Sequence, residues 1–508
     1  MKEVKTEWTG NNTVKSVVLF VVHFIVLLLI SIFLLLKDKV NILAEEMAQN
    51  GADYLYMGCC LLMLTVLMYT YFFFESKECL ASAKTISLVF TILDLYVIVG
   101  FLLSRQGSMD VTDDLSYAVF SRPVALVALL TLVLIGRKEA IFLNIFSSVL
   151  MFLLDIVSNR MMITQTAYSS LIVAFVSGMF AIFLASKAKT RLRIIGVGVL
   201  ILIPIMLIIF LLELTTMVEA DIQNETFWPN LIEKLGFGIF GGMTSAVLFL
   251  FLLPIFERMF NCLTVYRLRE ITAPDAPLLQ RLKQQAPGTF NHSETVAQLA
   301  EACAAALGED VDYARAAAYY HDVGKINQPE YFTENQQGYN PHDELTPELS
   351  ADIIRLHTHD GSSLIRSNHL PQFLAEVALE HHGTLPIRYF YAKALKMTDG
   401  DLNIEDFSYT GPKPKTKIAA IIMIADGSEA AARSLPKRTP DEVEKVVRNV
   451  IEERMQLEQF SDCEITLKEL SVIRQTLVET LSGVYHRRVK YPSIRYARDV
   501  DGSAKGEV

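Results

Sequence analysis

Seven side chains in the second half of the chain have the types and spacing of a two-metal site. They are His292, His321, Asp322, His357, His381, His382 and Asp426. Imidazole nitrogens and carboxylate oxygens together suit iron, manganese or zinc, and a carboxylate that lies between two such ions can bridge them. The pattern therefore predicts metal-assisted hydrolysis.

The segments that carry these side chains are predicted to be helices. Thr439 and Pro440 are typical of the beginning of a helix, and Thr466 followed by Glu469 is a capping-box pattern. Strand-type alternation is scarce. Alanine-rich or apolar runs that favour helix cover residues 294–308, 311–322 and 416–426. We expect this half of the chain to be almost wholly helical.

The first half of the chain is too apolar to be soluble. Of the 508 residues 52% are hydrophobic, and the longest apolar runs all precede residue 257, each close to the roughly 20 residues that cross a bilayer. Eight spans are predicted, at residues 15–36, 54–74, 85–104, 119–136, 139–156, 166–186, 194–215 and 235–256. The predicted organisation is all-α: a polytopic membrane domain (1–256), amphipathic linker helices (257–286), a helical soluble domain (287–488) and a tail (489–508).

Lysine and arginine in the short connections predict the orientation, because positive loops tend to stay in the cytoplasm. With the N-terminus inside, the cytoplasmic side holds Lys2, Lys5, Lys15, Lys77, Lys84, Arg137, Lys138, Lys187, Lys189, Arg191 and Arg193. An even number of spans then returns the second half to the cytoplasm. The first span is longer than the apolar part of a secretion signal and lacks a typical cleavage site, so a retained anchor is expected. The six cysteines show no disulfide or metal spacing.

Three acids in or beside the predicted spans need an explanation. Asp155 and Glu213 lie at span ends, from which they could reach the membrane interface. Asp94 lies near the middle of a span, which leaves open a ligand or proton role or a hydrogen bond that packs two helices.

The soluble half has a net acidic charge. From residue 257 onward it has 29 Lys plus Arg and 37 Asp plus Glu, a balance of −8. Such a domain is poorly suited to binding long nucleic acids, and a small anionic ligand that is met through metal ions is the better prediction.

The strings around the seven side chains resemble the HD phosphohydrolase superfamily. PGTFNHSETVAQLAEACA, HDVGKINQPEYFTENQ, NPHDELTP, EHHGTLPIRYFY and IADGSEAAARSLP are similar to the cytoplasmic domain of the seven-transmembrane-HD family. The resemblance covers most of the chain, and it implies a membrane-anchored phosphodiesterase in the cell membrane that opens cyclic di-AMP to linear 5′-pApA. The double histidine lacks the Gly-Tyr-Pro extension of enzymes that cleave cyclic di-GMP.

The resemblance also implies roles for individual residues. One divalent ion, manganese or iron, would be held by His292, His321, Asp322 and Asp426, and a second by His357, His381 and His382 with Asp322 as the bridge. Asp322 and Lys325 are the expected catalytic residues, Lys325 because it could neutralise phosphate charge. Tyr391 could stack on adenine or belong to a helix core, and Arg433 could contact phosphate or lie on a solvated helix face.

Other histidines compete for the same roles. His359 lies two residues after His357 and is the main alternative ligand, whereas His342 is expected in a loop or near substrate. His369 and His486 are predicted to lie on the surface. Asp426 could instead merely end a helix.

Two departures from the family pattern and three functional alternatives complete the predictions. Asn291 replaces a further histidine that is common in relatives, and residues 37–53 form only a short connection where relatives carry a large extracytoplasmic domain. The alternatives are a receptor that binds nucleotide without turnover, an HD hydrolase of another nucleotide and a transporter with a regulatory HD domain. The expected partners are a cyclic dinucleotide and the lipid bilayer, and a homodimer is left open.

Overall fold

A computed structural model shows that the described part of the chain is built from helices. The structure describes residues 10–36, 43–104, 117–159, 161, 163–188, 190–217, 227–260, 262–397, 401–436 and 438–484. Within these ranges, the β-structure consists of an isolated bridge between Pro386 and Ser408. The predicted all-α fold is confirmed.

The chain divides into two compact units, Met1–Arg267 and Leu268–Val508. The first contains α1 (Gly10–Leu36), α2 (Leu43–Glu75), α3 (Lys77–Ala81), α4 (Ala83–Ser104), a 3-10 helix (Tyr117–Ser121), α5 (Leu126–Leu134), α6 (Arg137–Ser158), α7 (Gln165–Ala185), α8 (Arg191–Met217) and α9 (Phe227–Met259). The chain passes from one unit to the other within α10 (Val265–Ile271).

Eight segments of the described chain are long and apolar enough to span a membrane. They are Thr13–Leu36, Gln49–Glu75, Ala83–Ser104, Tyr117–Leu134, Arg137–Ser158, Gln165–Ala185, Arg191–Thr215 and Phe227–Met259. Each predicted span falls on one of these segments. The tight pair of spans at Gly136 is two separate helices, since α5 ends at Leu134 and α6 begins at Arg137.

The three acids that the sequence analysis singled out in or beside the spans each contact a basic side chain. Asp155 accepts from Arg122 through both carboxylate oxygens, with Nη1 and Oδ2 2.7 Å apart. Lys234 Nζ lies 2.6 Å from Glu213 Oε1, and His23 Nε2 lies 3.1 Å from Asp94 Oδ1. Asp155 and Glu213 are buried in ion pairs, and Asp94 joins α4 to α1 through a hydrogen bond.

The second unit consists of short helices around one apolar core. Its helices are α11 (Pro277–Gln285), α12 (Pro287–Leu307), α13 (Val311–Tyr320), α14 (Pro347–Ser367), α15 (Gln372–Glu380), α16 (Arg388–Leu395), α17 (Lys417–Arg433), α18 (Pro440–Gln456) and α19 (Leu467–Val484), with 3-10 helices at Val323–Asn327, Pro329–Tyr331, Thr333–Asn335, Pro341–Glu344 and Ile404–Phe407. α12 packs against α13, α17 and α19. Small residues such as Ala300 and Ala317 are fully buried where these helices meet, which lets the helices approach closely.

Local sequence signals agree with the observed helix ends. Thr439 and Glu442 form a complete capping box at the start of α18, with Pro440 in its first turn. The Thr466 side chain accepts from the backbone N–H of Glu469, whose carboxylate accepts from the backbone N–H of Thr466. The predicted tail and His486 lie outside the described residues.

Candidate metal centre

The seven predicted ligand residues are brought together from five segments of the second unit. His292 lies within α12, His357 within α14 and Asp426 within α17, whereas α13 and α15 end just before His321-Asp322 and His381-His382. They form two groups of four, His292, His321, Asp322 and Asp426, and Asp322, His357, His381 and His382. In each group one candidate ligand atom per residue lies within 4.8 Å of the others.

Two glycines allow the backbone to present these side chains. At Gly324, a Cβ atom would lie 1.9 Å from the carbonyl oxygen of His357, so only glycine lets this 3-10 segment lie against α14. Gly383, directly after the double histidine, has a φ of +52°, a left-handed conformation that glycine adopts without strain. Both glycines therefore serve the placement of neighbouring ligand residues.

Asp322 belongs to both groups and faces each with a different oxygen. Its Oδ1 lies 3.3 Å from His357 Nε2 and 3.5 Å from His381 Nε2. Its Oδ2 lies 3.2 Å from His321 Nε2 and 3.7 Å from His292 Nε2. This is the arrangement that a carboxylate needs to bridge two metal ions.

Four histidines are held in one tautomer by acceptors that have no proton to give. The Nδ1 atoms of His321, His357 and His381 contact the carbonyl oxygens three residues earlier, at 2.7, 2.6 and 2.9 Å. His292 Nδ1 lies 2.7 Å from a carboxylate oxygen of Glu429. Each Nδ1 must therefore carry the proton, which leaves Nε2 as the ligand atom that faces the cluster.

The buried polar atoms at the centre fit divalent cations. His321 Nε2 and Asp322 Oδ1 are buried without a hydrogen bond among the described residues, whereas Asp322 Oδ2 pairs with Lys325. His357 Nε2 and His381 Nε2 are 3.3 Å apart, although both are acceptors. Such a set of lone pairs is costly to bury, and cations placed between them satisfy all of them at once.

The pKa shifts in the cluster are consistent with a site that binds cations. Burial alone would lower the pKa of His292, but hydrogen bonds to Asp426 and Glu429 raise it to about 10. Burial opposes ionisation of Asp322, yet the nearby His321 and Lys325 hold its pKa well below the usual value. Burial lowers the pKa of His381 to about 4, so this imidazole is neutral and able to bind a metal ion.

A cavity of about 390 Å³ opens over both ligand groups. Of the two basic residues predicted near substrate, Lys325 lines it and forms ion pairs of 2.7 Å with Asp322 and 2.9 Å with Glu334. Arg433 also lines it and pairs with Glu429 at 2.6 Å. Both positive charges therefore face the space above the cluster.

Tyr391 does not line this cavity. It packs against Phe407 in a small separate apolar cluster, and its hydroxyl donates to the carbonyl oxygen of Leu402 at 3.4 Å. The aromatic residues that do line the cavity are Phe332 and Tyr409. The structure thus places Tyr391 in the helix-core position that the sequence left open.

The competing histidines lie elsewhere in the second unit. His359 is exposed and contacts Thr410 Oγ1 at 3.3 Å, and His369 is exposed with a φ of +54°. His342 is buried, with Nε2 3.0 Å from the carbonyl oxygen of Tyr331. All three are absent from the two ligand groups.

The sequence analysis did not predict Glu429 or Tyr409 near the cluster, and only Glu429 had a sequence signal that could have identified it. Glu429 lies three residues after Asp426 on α17, so helical spacing places both carboxylates on one face. Tyr409 follows a 3-10 helix and stacks on His382, with ring centroids 4.3 Å apart. Nothing in the local sequence indicates that contact.

Comparisons with known proteins match both units. The profile of the family described as "7TM receptor with intracellular HD hydrolase" matches residues 53–264, and that of the HD domain matches residues 289–431. The cyclic-di-AMP phosphodiesterases PgpH of Listeria monocytogenes and Bacillus subtilis are each 36% identical over 425 residues, 83% of this chain. The alignments cover 57% and 58% of those relatives, so the chain spans little more than half their length.

A solved structure is also similar to part of this chain. It is the crystal structure of the L. monocytogenes PgpH HD domain in complex with cyclic-di-AMP, which is 47% identical, covers 42% of this chain and 100% of its own, and has a TM-score of 0.41.

The two family matches lie one on each unit of the chain. With the eight apolar segments, they identify a multi-pass membrane protein that carries an HD domain. The resemblance inferred from the motif strings is confirmed: the chain belongs to the seven-transmembrane-HD family.

Proposed function

We propose that this protein is a metal-dependent phosphodiesterase that hydrolyses cyclic di-AMP to linear 5′-pApA. The observation that carries the proposal is the pair of four-residue ligand groups that share Asp322 beneath an open cavity. The activity in the names of the two PgpH relatives supports the choice of substrate. The reaction adds one water across one phosphodiester and leaves a 3′-hydroxyl and a 5′-phosphate.

Two divalent ions, manganese or iron, fit the mixed imidazole and carboxylate ligands. His292, His321 and Asp426 would hold one, and His357, His381 and His382 the other, with Asp322 between them. When bound, such a pair supplies Lewis-acid activation of the scissile phosphodiester and of water.

The chain itself supplies charge and orientation around the reacting group. Lys325, whose pKa is raised by Asp322 and Glu334 despite burial, stays a cation beside the bridging carboxylate. Arg433 adds a second positive charge at the cavity. Phe332 and Tyr409 give flat apolar surfaces that suit a ribose or a base. Together these groups favour a bound phosphodiester over bulk water.

We further propose that the N-terminus and the HD domain both lie on the cytoplasmic side of the cell membrane. The positive-inside distribution of lysine and arginine supports this orientation, and a nucleotide messenger would be met on that side.

The test uses the full chain in detergent, stripped of metal and reloaded with Mn²⁺, Fe²⁺ or Mg²⁺. Cyclic di-AMP and cyclic di-GMP are supplied separately, and products are separated by chromatography. We expect 5′-pApA from cyclic di-AMP with Mn²⁺ or Fe²⁺ and none after chelation. If metal-loaded protein hydrolyses neither dinucleotide, the enzyme proposal fails; tight binding without turnover would instead favour a receptor.

A further inference from the structure

A second cavity of about 200 Å³ adjoins the metal centre. It shares His382 and Tyr409 with the larger cavity, and its remaining lining is residues 385–387, Glu453 and Arg454. The two cavities therefore have a common wall, although Glu453 and Arg454 belong to neither ligand group.

Arg454 is a mostly buried cation with spare hydrogen-bonding capacity. Its side chain is 13% exposed, and its Nη1 donates to Glu453. Its Nε has no hydrogen-bond partner among the described residues. Burial lowers the pKa of the guanidinium, although Glu453 and Asp426 act against this shift.

The only acidic residue of the second cavity is shared by two arginines. Glu453 pairs with Arg454 and also with Arg388, at 2.7 Å. Glu453 is divided between two guanidinium groups and does not neutralise both. An anionic ligand group in the cavity would give the Arg454 guanidinium a further anionic partner.

Gly427 explains how Arg454 reaches this place. A Cβ atom at Gly427 would lie 2.6 Å from Arg454 Nη2, so the guanidinium packs where a side chain would otherwise be. Gly427 lies inside α17 directly after Asp426, and glycine is unfavourable in a helix interior. Glycine is unfavourable at this position, but it lets the guanidinium of Arg454 lie close to Asp426, a predicted metal ligand.

We infer that this cavity binds the second, non-reacting phosphodiester of the cyclic dinucleotide through Arg454. The inference rests on the proposed function. A cyclic dinucleotide carries two phosphodiesters in one small ring, so when one lies at the metal centre the other must lie close by. The cavity that Arg454 lines shares His382 and Tyr409 with the metal cavity and fits that position. Arg454 is a specificity residue, because it binds a part of the substrate that does not react.

The test compares ligands that differ by one phosphate at the position of the non-reacting phosphodiester. AMP has the 5′-phosphate that hydrolysis leaves at the metal centre, and adenosine 3′,5′-bisphosphate (pAp) adds a 3′-phosphate to the same nucleoside. The full chain is prepared with Arg454→Gln, with Arg454→Lys and with the control Arg448→Gln, which removes an exposed arginine of the same helix. We measure KM and kcat for cyclic di-AMP, and inhibition constants for AMP and pAp.

For Arg454→Gln we expect the KM for cyclic di-AMP and the inhibition constant of pAp to rise about tenfold or more, as for a lost charge-assisted hydrogen bond. The inhibition constant of AMP should not change. Arg454→Lys should lose less, because it keeps the charge without the planar fork. Arg448→Gln should behave as wild type.

Two results overturn the inference. A raised KM for cyclic di-AMP with an unchanged inhibition constant for pAp would show that the cavity takes the second base, and unchanged constants for all three ligands would show that it takes no part of the substrate. If the wild type does not hydrolyse cyclic di-AMP, the proposed function fails, but equilibrium binding of AMP and pAp still decides the role of Arg454.

Discussion

Both units of this protein bury charged side chains, but they do so in opposite ways. In the membrane unit each such acid meets a proton donor, as in Arg122 with Asp155 and Lys234 with Glu213. In the HD unit Asp322 pairs with Lys325 but also faces four imidazole nitrogens that act as acceptors. A donor-acceptor pair is complete by itself, whereas a cluster in which acceptors outnumber donors needs further cations. This difference in partners distinguishes buried charges that stabilise the fold from buried charges that bind a ligand.

The largest effect should come from the residue on which both ligand groups depend. Asp322→Asn keeps the size of the side chain but removes the bridging charge, so we expect no detectable turnover of cyclic di-AMP and a loss of bound metal. Turnover and metal content per chain are the measurements. His359→Ala, which removes an exposed histidine, should retain most of both. If the two variants exchanged these behaviours, the ligand assignment would be wrong.

The two partners of the Arg122–Asp155 ion pair in the membrane unit should depend on each other for stability. Arg122→Met leaves the carboxylate of Asp155 buried without its donor, which we expect to reduce the free energy of unfolding by about 3–5 kcal/mol. Unfolding in detergent mixtures measures it. The double variant with Asp155→Leu should recover much of the loss, because two apolar side chains need no partner. A double variant no more stable than the single one would show that this pair has a role beyond packing.

A smaller effect is expected from the carboxylate behind the first ligand group. Glu429→Gln keeps an acceptor for the Nδ1 proton of His292 but removes the charge that orients it. We expect metal affinity to fall by about 10–100-fold, with turnover restored at high metal concentration. The matched control is Glu444→Gln on the exposed face of α18. Turnover that stays low at saturating metal would place Glu429 in the chemical step instead.

The sequence predicted the helices and the ligand groups better than the contacts between distant segments. Long apolar runs and alanine-rich stretches determine helices locally, so all eight spans fall on helical segments. The partners of Asp155 and Glu213 lie 33 and 21 residues away, and no local signal identifies Arg122 or Lys234.

The site shows the same limit. The two ligand groups could be predicted because the motif strings of this chain resemble those of the HD family. Tyr391 was considered for stacking because three aromatic residues are adjacent in sequence, but the packing of α16 turns it toward Phe407. Tyr409, from a segment without regular structure, lines the cavity instead. Which aromatic residue meets substrate depends on packing between segments that share no sequence pattern.

The smallest effect should appear where the HD unit is stabilised far from its metal centre. Thr466→Ala removes the hydroxyl that caps α19 and donates to Glu469, which we expect to cost about 1 kcal/mol of unfolding free energy. Metal affinity and turnover should remain at wild-type values, because α19 contributes none of the ligand residues. Denaturant unfolding with a parallel activity assay measures both. If turnover fell together with stability, the geometry of the acceptor cluster would depend on the packing of the whole HD unit. The contrast with the ion pairs of the membrane unit would then be smaller than we propose.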